Sequence, residues 1–299
     1  MSFSFDTKNE LCRLPVQRRC CAQAEAYGIL LYCHTFSSSE VRIITANPNL
    51  AARLPKLFHR AFDLRFDRQP AVEEGRKMVF QITEREKLDH IIDLLGYAPR
   101  QSLALHINFA MLEEDHCRAA FLRGCFFAGG SITDPSKRYH LELTSSHLQA
   151  SRELEVLLRE SGYPPKSVAR NGSSVTYFKQ SDQIEDFLTL IGAPVAAMEI
   201  MSTKLEKGLR NSVNRRLNCD SANLDKAVEA AQSQGEAIRK LQAAGRLMEL
   251  PDKLQQTAAL RLEFPELSLS ELAEEFDPPV TKSCLNHRLR KLVELAEGL

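Results

Sequence analysis

The sequence predicts an α+β fold: two tandem αββαββα units, then a helical connector, then a compact all-α segment. Three observations predict it. Gly28 in AYGILLYCH lies 96 positions before Gly124 in FLRGCFFAGG. Gly96, closing DHIIDLLG, lies 96 positions before Gly192, closing EDFLTLIG. Near Met198 the texture changes, from interleaved strands and helices to a nearly continuous helix-compatible run. Two anchors at one offset imply a duplicated unit, and 299 residues favour two or three domains over one.

The elements follow in order. The first repeat, about 16–96, opens with a long helix over Val16–His34. Val41–Ala46 (VRIITA) is expected as a strand. Pro48 and Asn49 start a helix, LAARLPKLFHRAF, with an interruption expected at Pro55. Leu64–Phe66 is expected as a short strand, Met78–Thr83 alternates as a strand should, and Glu84–Leu95 has helical spacing. The second repeat, 115–192, restates that order. It has a helix over Asp115–Ala128, a strand over Tyr139–Thr144 and a helix over Ser146–Ser161. A short strand at Lys166–Ala169, a strand at Val175–Lys179 and a helix over Asp182–Ile191 complete it. Each half leaves one sheet face and one helix in need of cover. Pairing the halves through their glycine-bearing helices supplies that cover.

Residues 1–198 thus form one domain and 199–250 a connector. Asn211, Asn214, Asn218 and Asn223 are poor helix-interior residues, so a break is expected among them, with helix resuming over Ala227–Leu247. The last domain is 251–299. Asp252 is expected to cap the helix LQQTAALRLE, and Pro265 to stop it. Ser268, with Glu271 three residues on, forms a capping box for LSELAEEF. Asp277, Pro278 and Pro279 make a turn, and Thr281 caps KSCLNHRLRKLVELAE. Three short helices with a tight turn before the last have the shape of a helix-turn-helix.

Hydrophobic residues at 43% and charged residues at 26% are ordinary for a globular chain. Formal net charge is zero, so contact with nucleic acid must come from local patches. No apolar run is long enough for a membrane span, and MSFSFDTKNELC lacks a signal-peptide core. A cytoplasmic protein with no membrane partner is expected. The eight cysteines, Cys12, Cys20, Cys21, Cys33, Cys117, Cys125, Cys219 and Cys284, include no C-x-x-C pair. Reduced thiols with no metal and no cofactor are expected.

FLRGCFFAGGSI resembles the motif of the LAGLIDADG homing endonucleases, with LRGCFFAGGSI set against LAGLIDADGSI. In that family two such helices pack side by side, and each ends in an acid that holds the divalent metals that cut DNA. The acid position falls on Gly129 in the second copy and on Cys33 in the first. Glycine has no side chain and cysteine is a soft ligand, whereas a hydrolytic metal pair needs hard oxygen ligands. Asp134 lies beyond the helix end. No catalytic residues are expected. A degenerate pair of this kind followed by a helix-turn-helix resembles the bacterial WhiA family of sporulation and cell-division regulators. The resemblance covers essentially the whole chain. Its carriers are MSFSFDTKNELCRLP and QRRCC, FLRGCFFAGGSITDPSKRYHLEL, RNSVNRRLNCDSANLDK, and LPDKLQQTAALRLEFPELSLSELAEEFDPPVTKSCLNHRLRKL. It implies a saddle-shaped duplicated domain. It also implies a sequence-specific DNA-binding protein without nuclease activity, serving cell division, chromosome segregation or sporulation.

Residues 251–299 carry six Lys or Arg against nine Asp or Glu, but the charge is sorted. The third helix has no acid between Thr281 and Val293, as a helix entering a DNA groove should, because phosphates repel carboxylates. Thr281, Ser283, Asn286 and His287 are candidates for base edges. Lys282, Arg288, Arg290 and Lys291 are candidates for phosphate or guanine. Leu285 and Leu289 should face the domain core. In the connector, Lys204, Lys207, Arg210, Arg215 and Arg216 are candidate contacts to the DNA backbone. The expected partner is double-stranded DNA, in a nucleoid-associated cytoplasmic protein. Two other readings stay open: a scaffold whose N-terminal domain holds a protein partner, and a nuclease using unforeseen ligands.

Overall fold

The computed structural model describes residues 2–70, 77–97 and 105–299. They form two compact units, Met1–Lys207 and Gly208–Leu299. By contacts the 199–250 segment is divided between them.

The first unit begins with α1 (Phe3–Cys12), which the sequence reading missed. Ser2 caps it, its side chain accepting from the Phe5 amide. α2 (Arg19–Tyr32) and α5 (Asp115–Gly129) are the glycine-bearing helices. From Ala24 to Tyr32 every residue of α2 is buried, as befits a helix enclosed on all sides. The first half continues with β1 (Thr35–Phe36), β2 (Val41–Thr45), α3 (Pro48–Phe62), β3 (Met78–Ile82) and α4 (Arg85–Leu94). The second continues with β4 (Gly130–Ile132), β5 (Leu141–Ser145), α6 (Leu148–Glu160), β6 (Lys166–Arg170), β7 (Ser173–Phe178) and α7 (Ser181–Ile191). The antiparallel sheets run β1-β2-β3 and β4-β5-β7-β6. In β2, β3 and β5 alternate residues are buried, so one face of each sheet packs on the helices.

The two halves end alike. Gly96 and Gly192 both take positive φ, +78° and +97°. Each closes its helix with the same six-residue loop: Tyr97 N to Ile92 O at 3.0 Å, and Ala193 N to Leu188 O at 2.8 Å. Between α2 and α5 the contact is backbone on backbone. A Cβ at Gly28 would lie 2.1 Å from Phe121 O, and one at Gly124 would lie 2.1 Å from Glu25 O. Glu25 and Phe121 are themselves 96 positions apart. Beside this crossing Glu25 is buried against two arginines. Arg53 Nε donates to Oε1 at 2.7 Å, and Arg123 Nε donates to Oε2 at 2.8 Å.

Two expected features of the first half are corrected. α3 runs unbroken through Pro55. Its buried Ala51, Leu54, Leu57, Phe58 and Phe62 outweigh one lost backbone hydrogen bond. No strand forms at Leu64–Phe66; a single bridge, Arg68 to Gln81, takes its place. Phe66 instead anchors that segment by packing, 4.5 Å from the Phe58 ring and 5.2 Å from the Phe80 ring, centroid to centroid.

α8 (Pro194–Ala243) belongs partly to each unit. The expected break at the asparagines does not occur. An interior Asn costs at most about 0.7 kcal/mol relative to Ala, less than stopping and re-nucleating a helix. The second unit adds α9 (Asp252–Glu263), α10 (Leu269–Glu274) and α11 (Lys282–Glu297). Ile238 and Leu241 of α8 share its core with Leu254, Leu272, Phe276, Leu285, Leu289 and Leu292. The end of the expected connector is therefore a fourth core helix. Ser268 and Glu271 form the expected capping box, and Thr281 caps α11 by accepting from Cys284 N at 3.2 Å. Asp252 does not cap α9; it is the first helical residue, after Pro251. No helix among the described residues is long and apolar enough to cross a membrane.

Candidate nucleic-acid interface

Two places could meet DNA: the C-terminal ends of α2 and α5, where the acid positions fall, and the outer face of α11. The first is closed. Cys33 follows the last residue of α2 and is 8% exposed. Its Sγ lies 3.2 Å from Leu30 O and 3.1 Å from Thr35 O, donating to those carbonyls. Burial pushes its thiol up to about 12, so it stays protonated and neutral. Gly129 has no room for any side chain: a Cβ there would lie 2.3 Å from Thr144 O and 2.7 Å from a Tyr32 ring carbon. An aspartate at 129 would have to displace strand β5. Asp134 is exposed and turned back on its own loop, accepting from Ser136 N at 2.8 Å and Ser136 Oγ at 2.6 Å. Those bonds hold its carboxyl below the usual range. A cation of the chain's own meets this end instead. Lys8 Nζ donates to Phe127 O at 3.1 Å, where a helix carries its partial negative charge.

The second place is open. On α11, Leu285, Leu289, Leu292 and Ala296 are buried and hold the helix to its unit. At about 100° per residue, Ser283, His287 and Arg290 lie on the opposite side, with Asn286 and Lys291 on its two edges. All five are exposed, as are Thr281 and Lys282 at the N-terminal end. Arg290 Nε donates to Glu294 Oε1 at 3.1 Å, an exposed pair of small energy that a phosphate can replace. Arg288 departs from the expected set. It is half-buried, its guanidinium 5.6 Å from the Phe276 ring centroid, so it braces α11 rather than facing outward.

The connector candidates also divide. Lys204 pairs with Asp182, and Lys207 Nζ donates to Pro135 O at 2.6 Å while lying 4.8 Å from the Tyr139 ring centroid. These two lysines hold α8 to the first unit. Arg210, Arg215 and Arg216 are exposed, with no hydrogen bond or ion pair among the described residues.

One group escaped sequence reasoning. Cys20, Cys21, His116 and Cys117 come together with their ligand atoms all within 4.8 Å of one another. The expectation of thiols with no metal role rested on the lack of a C-x-x-C pair. It tested local spacing, whereas each pair here is completed by one 96 positions away. The offset that aligned the glycines was the signal that could have found them.

Two family models match the chain: a WhiA LAGLIDADG-like domain over residues 118–210 and a WhiA C-terminal HTH domain over residues 213–296. A probable cell division protein WhiA of Ruminiclostridium cellulolyticum is 34% identical, over 100% of this chain and 98% of its own length. A protein of the same description from Alkaliphilus oremlandii is 35% identical, over 100% and 98%. Among solved structures, full-length DUF199/WhiA from Thermotoga maritima matches with a TM-score of 0.62 at 23% identity, covering 100% of this chain and 99% of that one.

Proposed function

The chain belongs to the WhiA family, and from that premise we propose that it is a sequence-specific DNA-binding regulator without nuclease activity. The observation that carries the reading is a contrast. α11 presents Ser283, Asn286, His287, Arg290 and Lys291 to solvent, while the acid position at Gly129 has no room for a side chain. In this reading α11 lies in a major groove. Ser283, Asn286 and His287 meet base edges, Arg290 meets guanine or phosphate, and Thr281, Lys282 and Lys291 meet phosphates. Arg210, Arg215 and Arg216 add backbone contacts. The relatives' description as probable cell division proteins supports a role in cell division; in this reading the role reaches to chromosome segregation or sporulation. In this reading the protein sits on the nucleoid in the cytoplasm. The duplicated domain, 1–198, keeps its fold as a body for a protein partner.

Anisotropy titrations of the full chain on promoter fragments recovered by genome-wide crosslinking test the proposal. The expected result is saturable binding that prefers the recovered fragments over scrambled ones at one fixed salt concentration. Arg290→Ala and Lys291→Ala should each weaken binding and lower the log–log salt slope by about 1. Equal affinity for scrambled DNA, or slopes unchanged in both variants, would remove α11 as the reader.

A further inference from the structure

At the other end of the paired helices, the duplication brings four metal-ligating side chains to one point. Cys20 and Cys21 are the second and third residues of α2; His116 and Cys117 are the second and third residues of α5. His116 Nδ1 lies 3.4 Å from Cys21 Sγ and 3.2 Å from Cys117 Sγ. We propose that Cys20, Cys21, Cys117 and His116 Nδ1 bind one Zn2+ ion that ties the N-terminal ends of α2 and α5 together.

Three features carry this. The first is spacing. Zn–S bonds of about 2.3 Å and Zn–N bonds of about 2.0 Å in a tetrahedron put sulfurs about 3.8 Å apart and sulfur and nitrogen about 3.5 Å apart. The four ligand atoms, all within 4.8 Å of one another, reach that geometry by rotamer adjustment. The second is the donor set. Three thiols and an imidazole with no carboxylate select a borderline-soft cation over Mg2+ or Ca2+. The third is charge. Zn2+ with three thiolates and a neutral imidazole carries −1. That charge sits on the first turns of two helices, where unpaired amides and the helix dipole favour an anion. Burial and the adjacent Cys20 hold the Cys21 thiol above its usual range, and Arg18 and Arg123 oppose that shift only in part, so the thiolates form on metal binding rather than before it. Cys117 is buried and Cys20 exposed, so the site is anchored on one side and open to an entering ion on the other. Binding displaces three thiol protons to solvent, so affinity should rise with pH.

The test uses the full chain, reduced and without oxygen. Titration with Zn2+ against a chromogenic chelator should give one ion per chain, with an affinity that rises between pH 6 and about pH 8 and a raised melting temperature. Co2+ in place of Zn2+ should give thiolate charge-transfer and tetrahedral visible bands. Cys20→Ser and Cys117→Ser should lose stoichiometric uptake. His116→Ala should weaken it at least tenfold, and His116→Cys should keep it. Cys219→Ser and Cys284→Ser, at exposed thiols outside the cluster, should leave uptake at one ion. No thiolate–Co2+ band in the wild-type chain would overturn the proposal whatever the variants do. So would uptake unchanged in Cys20→Ser and Cys117→Ser, or a Cys20–Cys117 disulfide that persists under thiol reductant.

Discussion

The two ends of the α2–α5 pair share one pseudo-twofold relation and have opposite chemistry. At the C-terminal end, where the LAGLIDADG pattern places acids, stand a neutral buried thiol at Cys33, a glycine with no room for a side chain, and Lys8 on a helix carbonyl. At the N-terminal end three thiols and an imidazole converge. Each end suits its helix polarity, a cation at the carbonyl end and potential anions at the amide end. Duplication copies positions, and the side chains and the room around them decide what those positions do. Positions related by the 96-residue offset are therefore where the chemistry of this fold is found.

The largest expected effect lies between the two ends. Gly124→Ala puts a methyl group 2.1 Å from Glu25 O, with backbone on both sides. It should cost more than about 4 kcal/mol, read as collapse of the urea midpoint or failure to fold. A near-unchanged midpoint would mean that the helices can separate, and the fixed geometry of both ends would go with it. Glu25→Ala leaves Arg53 and Arg123 without their shared carboxylate and should cost about 3–5 kcal/mol. Restoring the missing acids with Cys33→Asp and Gly129→Asp should lower the urea midpoint, since the new Cβ at 129 lies 2.3 Å from Thr144 O and the new carboxyl at 33 is buried, and should give no plasmid nicking with Mg2+ or Mn2+. Nicking by that double variant would reopen the closed end. The smallest effect is in pH. Desolvation lowers Lys8 to about 8 in the folded chain, against 10.5 for the exposed group. Between those values the unfolded chain binds more protons, so this group makes stability rise with pH. The buried thiols of Cys12, Cys33 and Cys117, pushed up to about 12 by burial, work in the opposite direction, so urea midpoints should fall less between pH 8 and 10 in the wild type than in Lys8→Met.

Much of the fold was legible because its signals are local or periodic. Gly28, Gly124, Gly96 and Gly192 marked the duplication, and Ser268, Glu271 and Thr281 marked the C-terminal caps. The failures came where a neighbour distant in sequence decides. Pro55 is carried by the buried face of α3, and Phe66 by an aromatic cluster. The asparagines of α8 are carried by the cost of starting a helix anew. On α11, Leu285 and Leu289 were read correctly as core, but Arg288 depends on Phe276, a residue of the preceding segment. Lys204 and Lys207 looked like a free basic stripe because Asp182, Pro135 and Tyr139 lie far from them in sequence. The Cys20–Cys117 cluster was hidden for the same reason, although its offset was already in hand.

In the proposed function α11 reads DNA and the chain does not cut it. The most direct measurement incubates the full chain with supercoiled plasmid carrying a bound promoter, with Mg2+ and then Mn2+, while footprinting the same reaction. A variant joining Ser283→Ala, His287→Ala, Arg290→Ala and Lys291→Ala runs alongside. The expected result is a footprint on the promoter, fully supercoiled plasmid, and no footprint from the variant. Relaxed or linear plasmid above the level of a mock purification, or a footprint that survives in the variant, would contradict it.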